Sequence, residues 1–140
     1  MTTKTRTSIP QEDVNLCENM APADESVVRE IISRVADRWS LWALSELTEY
    51  GPLRFSRLLE RVEGIRQKSL TATLRHLEWD GLITRTVTAQ VPIRVDYAAT
   101  ALGRAMIAQV HPVWLWAVSN LAAFTAAREN YDRAQATSSD

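Results

Sequence analysis

Residues Leu53–Thr100 read LRFSRLLERVEGIRQKSLTATLRHLEWDGLITRTVTAQVPIRVDYAAT. Leu53 and Arg54 can form a short strand, after which Phe55, Leu58, Leu59 and Val62 recur at helical spacing. Gly64 permits a sharp turn, with Ile65 as its buried plug. The next helix is predicted over Gln67–Trp79, with Leu70, Leu74 and Leu77 as its apolar stripe and Gly81 as its stop. Two β-rich runs, Leu82–Thr88 and Ile93–Ala98, then flank the tip Ala89-Gln90-Val91-Pro92. In the second run Ile93, Val95 and Tyr97 share one face, and Arg94 and Asp96 the other. Helix, Gly turn, helix, strand, strand is the order of a helix-turn-helix followed by a wing, built to place its second helix in a DNA groove. The fold class expected is therefore α+β, a winged helix-turn-helix domain with helices on either side.

On the N-terminal side, Val27, Val28, Ile31, Ile32 and Val35 mark one helix, with Asp24 and Ser26 as candidate caps. A second helix runs from about Trp39 to Tyr50, burying some of Trp39, Trp42, Ala43, Leu44 and Leu47, and Gly51-Pro52 stops it. Residues 1–22 are polar, contain Pro10 and Pro22, and read as a flexible arm. They hold no apolar block of the secretory kind, which points to the cytoplasm. On the C-terminal side Thr100 is a helix cap, and Pro112 is expected to break or kink the C-terminal segment into two helices. Val113, Trp114, Trp116, Ala117, Val118, Leu121, Ala122 and Phe124 then carry more apolar surface than one face of a monomer needs. The domain is expected over residues 23–131, with a disordered tail over 132–140.

Composition narrows the function. The apolar content of 46% suffices for a core, and no run approaches the ~18 apolar residues of a membrane span. The net charge is −1, but residues 51–100 carry eight basic and five acidic groups, whereas residues 1–50 carry five and nine. The positive excess thus falls on the segment that would read DNA. With two histidines, one cysteine and four glycines, the chain offers no metal-ligand spacing and no phosphate-binding glycine loop. Neither an enzyme nor a cofactor is expected. Cys17 adjoins Glu18 and has no basic neighbour within several residues to activate it, so a passive thiol is the simpler reading.

The candidate DNA contacts follow from helical angles. Setting Leu70 at zero and taking ~100° per residue, Lys68 falls near 160°, Ala72 near 200° and Arg75 near 140°. Thr71 flanks that face. Lys and Arg can donate to guanine O6 and N7, and small or methyl-bearing side chains meet the thymine methyl. A solvated polar face is the plain alternative, and the strands beyond the helix are what favour DNA. Arg66 and Gln67 open the helix where a capping Ser, Thr, Asp or Asn would save ~1 kcal/mol. A phosphate docked there would satisfy both the free amides and the Arg66 guanidinium. In the wing, Arg94 is assigned to phosphate or the minor groove, and Arg85 to pairing with Asp96 across the strands. The five tryptophans suit core and subunit interface, with Trp39, Trp42 and Trp114 kept as candidate contacts for a small-molecule effector. Two other functions stay open on the residues alone: a winged-helix protein-interaction module, and a sensor that uses the Trp cluster.

The stretch GPLRFSRLLERVEGIRQKSLTATLRHLEWDGLITRTVTAQVPIRVDYAATALGRAM also resembles the HxlR-type winged helix-turn-helix regulators, relatives of the MarR group. The likeness covers roughly residues 26–118. It rests on a G-P-x-R-F-x-x-L segment, an L-x-x-L-E-x-D-G-L helix end, a V-P-x-R-V-x-Y wing and a T-x-L-G-R start to the next helix. The resemblance implies a bacterial or archaeal DNA-binding transcription factor, homodimeric through its N- and C-terminal helices. Two departures stand out. The family's Gly-Ile-Ser-Pro turn is Gly64-Ile65-Arg66-Gln67 here. Its frequent Cys-Pro-Val, used by some members to sense oxidants or electrophiles, is Ser26-Val27-Val28, with Cys17 nine residues upstream.

Overall fold

A computed structural model describes residues 10–139. The chain divides into two units, residues 1–36 and 37–140.

The first unit holds α1 (Gln11–Glu18) and α2 (Pro22–Ala36). Helix α1 occupies part of the stretch expected as an arm, and residues 1–9 of that stretch lie outside the described residues. Glu12 and Asp13 sit in its first turn, where carboxylates suit the helix dipole. Helix α2 begins before Asp24 and Ser26, so neither is its cap. Pro22 takes the first helical position, where its missing N–H leaves no orphan donor, and Glu25 N–H already donates to Ala21 O at 2.9 Å. Val27, Val28 and Ile32 of α2 are exposed.

The second unit opens with α3 (Arg38–Tyr50), β1 (Leu53–Arg54), α4 (Phe55–Arg61) and α5 (Gln67–Trp79). Strands β2 (Ile83–Thr88) and β3 (Arg94–Ala99) and helices α6 (Ala101–Ser119) and α7 (Leu121–Ser138) complete it. Asp37 caps α3, its carboxylate accepting from Ser40 N–H at 3.0 Å and from Ser40 Oγ at 2.6 Å. Asp37→Ala is expected to lower stability by about 1 kcal/mol in urea unfolding. An unchanged midpoint would show that the cap contributes nothing.

The core forms where three helices meet the sheet. Leu44 and Leu47 of α3, Leu58 of α4, Leu70, Leu74 and Leu77 of α5, and Leu82 and Ile83 at the start of β2 are all buried. The inner stripe of α5 is thus the one its spacing predicts, with Thr73 buried beside it. The sheet is antiparallel in the order β1-β3-β2. Its register sets Ile83, Arg85 and Val87 opposite Ala99, Tyr97 and Val95, and Thr84, Thr86 and Thr88 opposite Ala98, Asp96 and Arg94. Tyr97 and Ala99 pack on the core, so the other face carries the polar set.

Helix α6 is locked to the turn at the end of α5. Thr100 Oγ1 donates to Gly81 O at 2.7 Å and accepts from Gly103 N–H at 3.1 Å, while Thr100 N–H donates to Leu82 O at 3.0 Å. Gly103 is buried against Leu82, which lets the first turn of α6 close on that backbone. Met106 and Ile107 pack on the core from the next turns.

Pro112 does not divide the helix. It lies inside α6, and the break falls at Asn120, whose side-chain amide donates to Trp116 O at 2.8 Å. The carbonyl that Pro112 deprives of a donor is that of Ala108, and both residues are exposed, so water can satisfy it. Helix α7 also runs through Ser138, where the sequence suggests a disordered tail from 132. Ala134, Gln135 and Ala136 are good helix formers, and they extend the helix without needing a core.

Candidate nucleic-acid interface

The turn between α4 and α5 is built to aim α5 outward. Val62 N–H donates to Leu58 O at 2.9 Å and Ile65 N–H to Val62 O at 3.2 Å. Gly64 between them has φ +88°, a left-handed conformation that costs a residue with a Cβ roughly 1–2 kcal/mol. Ile65 is buried and pins the turn to the core, as its position as a plug predicts. A Cβ on Gly64 would stand 3.8 Å from Trp39 Cη2, so the first turn of α3 braces the same junction.

A second brace ties α3 to α4. Arg61 Nε donates to Glu46 Oε2 at 2.6 Å, and its guanidinium carbon lies 3.6 Å from the centre of the Tyr50 ring. The hydrogen bond to Glu46 raises the guanidinium pKa above its ordinary value. Spacing along the sequence could not have paired them, because Arg61 and Glu46 lie fifteen residues apart on separate helices.

Arg66 occupies the N-cap of α5 and makes no capping hydrogen bond, so the first amides of this helix lack a side-chain acceptor there. Gln67, Lys68, Thr71, Ala72 and Arg75 together line an open, shallow depression of about 530 Å³ on the outer side of α5. Thr71 Oγ1 donates to Gln67 O at 2.9 Å, which commits its proton to the helix. What Thr71 offers outward is a methyl group and hydroxyl lone pairs. The face therefore presents two cations, an amide, a methyl and an alanine, a set that can donate to guanine and meet thymine methyls.

The wing corrects one expectation. Arg85 does not pair with Asp96; the register places it opposite Tyr97, with Thr86 opposite Asp96. Asp96 instead binds Arg94 on its own strand, Nε to Oδ2 at 2.9 Å, and stands opposite Arg54 of β1. Residues two apart on a strand share a face, whereas Arg85 is one residue out of phase with Asp96. The Arg94 side chain stays 44% exposed, so it is oriented by Asp96 without being withdrawn from the surface. Val91, at the tip, is fully exposed and precedes Pro92 in a cis peptide.

The candidate effector residues do not form one cluster. Trp39 and Trp42 stack with centroids 6.3 Å apart, Arg38 lies 4.6 Å from the Trp39 ring, and both tryptophans pack on the core. Trp114 is 67% exposed on α6 and makes no ring contact with either among the described residues. Cys17 is an exposed free thiol in α1. Among the described residues, no group of acidic, His or Cys side chains could hold a metal, and no helix is long and apolar enough to cross a membrane.

The comparisons with known proteins agree with this geometry. The HxlR-like helix-turn-helix family model matches residues 34–124. The protein named "Uncharacterized HTH-type transcriptional regulator YtfH" of Escherichia coli is 34% identical over 107 residues, covering 76% of this chain and 84% of that protein. The solved structure named "Putative transcriptional regulator ytfH from Salmonella typhimurium" superimposes with a TM-score of 0.65 at 34% identity, over 73% of this chain and 90% of that one. The reduced form of the transcriptional regulator YodB from B. subtilis gives a TM-score of 0.58 at 32% identity, over 70% and 91%. A three-stranded wing sheet, a Gly-turned helix pair with an outward polar face, and a family model spanning most of the chain converge: this chain belongs to the HxlR-like helix-turn-helix family.

Proposed function

We propose that the chain is a transcriptional regulator that reads duplex operator DNA as a homodimer in the cytoplasm, without enzymatic activity. The observation that carries this reading is the outer face of α5, where Gln67, Lys68, Thr71, Ala72 and Arg75 line one open depression opposite the buried Leu70–Leu74–Leu77 stripe. A helix can offer bases its outer face only when its inner face is fixed, and this one is. Lys68, Thr71, Ala72 and Arg75 read base edges, Gln67 and Arg66 meet the backbone at the helix start, and Arg94 holds phosphate or the minor groove from the wing.

The homodimer rests on a second observation. Val113, Trp114, Leu115, Trp116 and Val118 of α6 and Leu121 of α7 are all more than half exposed, a run of large apolar side chains that a soluble monomer seldom leaves uncovered. A second copy would cover it and set two α5 helices about one helical turn of DNA apart, ~34 Å.

Selection of bound DNA from a random library identifies the site, and fluorescence anisotropy across a salt series then separates the roles. Arg75→Ala is expected to relax sequence preference at its base position, with a loss of about 1–3 kcal/mol on the selected site. Arg94→Ala should weaken selected and random DNA alike and reduce the salt slope by about 1. Equal losses on both DNAs for Arg75→Ala would overturn the base-reading assignment. The absence of any salt-dependent binding by the wild type would favour a protein-interaction module instead.

A further inference from the structure

The sequence suggests the core or a subunit interface for Trp79, and the structure keeps it out of the core. It ends α5 with 75% of its surface exposed and makes no ring contact among the described residues. The core side of this helix end is already filled by Leu77, Leu82 and Ile83, each at most 2% exposed. Packing therefore gives no reason for an indole here.

Position does. Lys68, Ala72, Arg75 and Trp79 succeed one another at intervals of four, three and four residues, and all four are exposed. At ~100° per residue Trp79 lies at about 180° from Leu70, in the middle of the stripe that carries Lys68 and Arg75. It stands one turn beyond Arg75. From Lys68 the stripe extends about 16 Å along the axis, against a major groove about 12 Å wide. The far end of such a helix reaches the sugar–phosphate strand that bounds the groove. An indole suits that rim: its ring offers apolar surface to deoxyribose, and its Nε1–H is a donor only, matched to phosphate oxygens.

We propose that Trp79 is a DNA-contacting residue of the reading head, lying against the sugar–phosphate backbone at the groove edge and donating its indole N–H to a phosphate. The proposal rests on the DNA-reading function above and extends the contact face by one helical turn. The other candidate occupant, a second copy of the chain, is better matched by the exposed apolar side chains of α6 and α7, whereas Trp79 shares its stripe with the cations Lys68 and Arg75.

A neutral side chain releases no counterions, and this gives Trp79 a signature of its own. In anisotropy titrations of the full chain on its selected operator, Trp79→Ala is expected to weaken binding about tenfold with the salt slope unchanged. Trp79→Phe, which keeps the ring and loses the N–H, should recover part of that loss. DNA should quench the fluorescence of the wild type more than that of Trp79→Phe. Trp79→Ala binding within twofold of a wild type that itself binds DNA would overturn the Trp79 assignment and leave the DNA-reading function standing. A loss that tracks dissociation of the dimer in light scattering would also overturn it, by assigning Trp79 to the subunit interface. A wild type with no salt-dependent binding would sink both, because there would be no reading head to extend.

Discussion

Gly103→Ala is expected to destabilise the protein by about 3 kcal/mol. In most helix interiors this substitution stabilises, since alanine is better than glycine there by about 1 kcal/mol. The sign reverses here because of what the first turn of α6 touches. A Cβ at position 103 would lie 2.1 Å from the carbonyl oxygen of Leu82 and 3.1 Å from Leu44 Cδ1. The first of these is backbone and cannot rotate away. It is also an acceptor in use, since Thr100 N–H donates to it at 3.0 Å. Relief therefore means shifting α6 off the Gly81–Leu82 turn, which also strains the Thr100 bonds to Gly81 and Gly103. Leu82 comes directly after the α5 stop, so the disturbance reaches the start of the wing. Urea or thermal unfolding of the purified variant measures the effect. A variant as stable as the wild type would show that α6 docks on Leu82 loosely enough to admit a methyl group.

Trp114→Glu combined with Leu121→Glu is expected to convert the proposed dimer to a monomer and to weaken binding to a full two-half-site operator by about 100-fold or more. Both residues are exposed in the single chain, at 67% and 65%, and neither makes a ring contact among the described residues. The monomer fold should therefore tolerate the change. A second copy would have to bury two carboxylates on each chain, at several kcal/mol per uncompensated charge. The loss in DNA binding arises because the second half-site contact is no longer intramolecular. Light scattering reports the mass, and anisotropy on full and half operators reports the coupling. A double variant that remains dimeric would place the interface elsewhere. A monomer with undiminished operator affinity would show that one reading head suffices.

Most of this fold was legible because its elements announce themselves locally. The Gln67–Trp79 helix carries its own stripe and its own Gly81 stop, and both Thr100 and Gly51 act as the spacing predicts, Thr100 accepting from Gly103 N–H and Gly51 adopting φ +74°. The departures came where a local rule competes with its surroundings. Pro112 removes one hydrogen bond, but on a solvated stretch of a long helix water makes good the loss and the helix continues. Arg85 and Asp96 have opposite charges and similar depth in their strands, but a single residue of register separates their faces.

For this protein the sequence alone determined the order of elements from α2 onward, the inner and outer faces of α5, the poorly capped start at Arg66, and the family likeness that residues 34–124 bear out. All of these depend on neighbours within a turn or two, so periodicity and turn chemistry carry them. Only the tertiary structure decided which charge Asp96 holds, that Arg61 is tied to Glu46 and Tyr50, that Gly103 is a docking point, and that Trp79 extends the outer face instead of filling the core. The Arg61 and Gly103 contacts depend on distances between separate segments, and the choice of Arg94 over Arg85 for Asp96 on the register between strands. No spacing along a sequence encodes whether a core is already full when an indole reaches its edge.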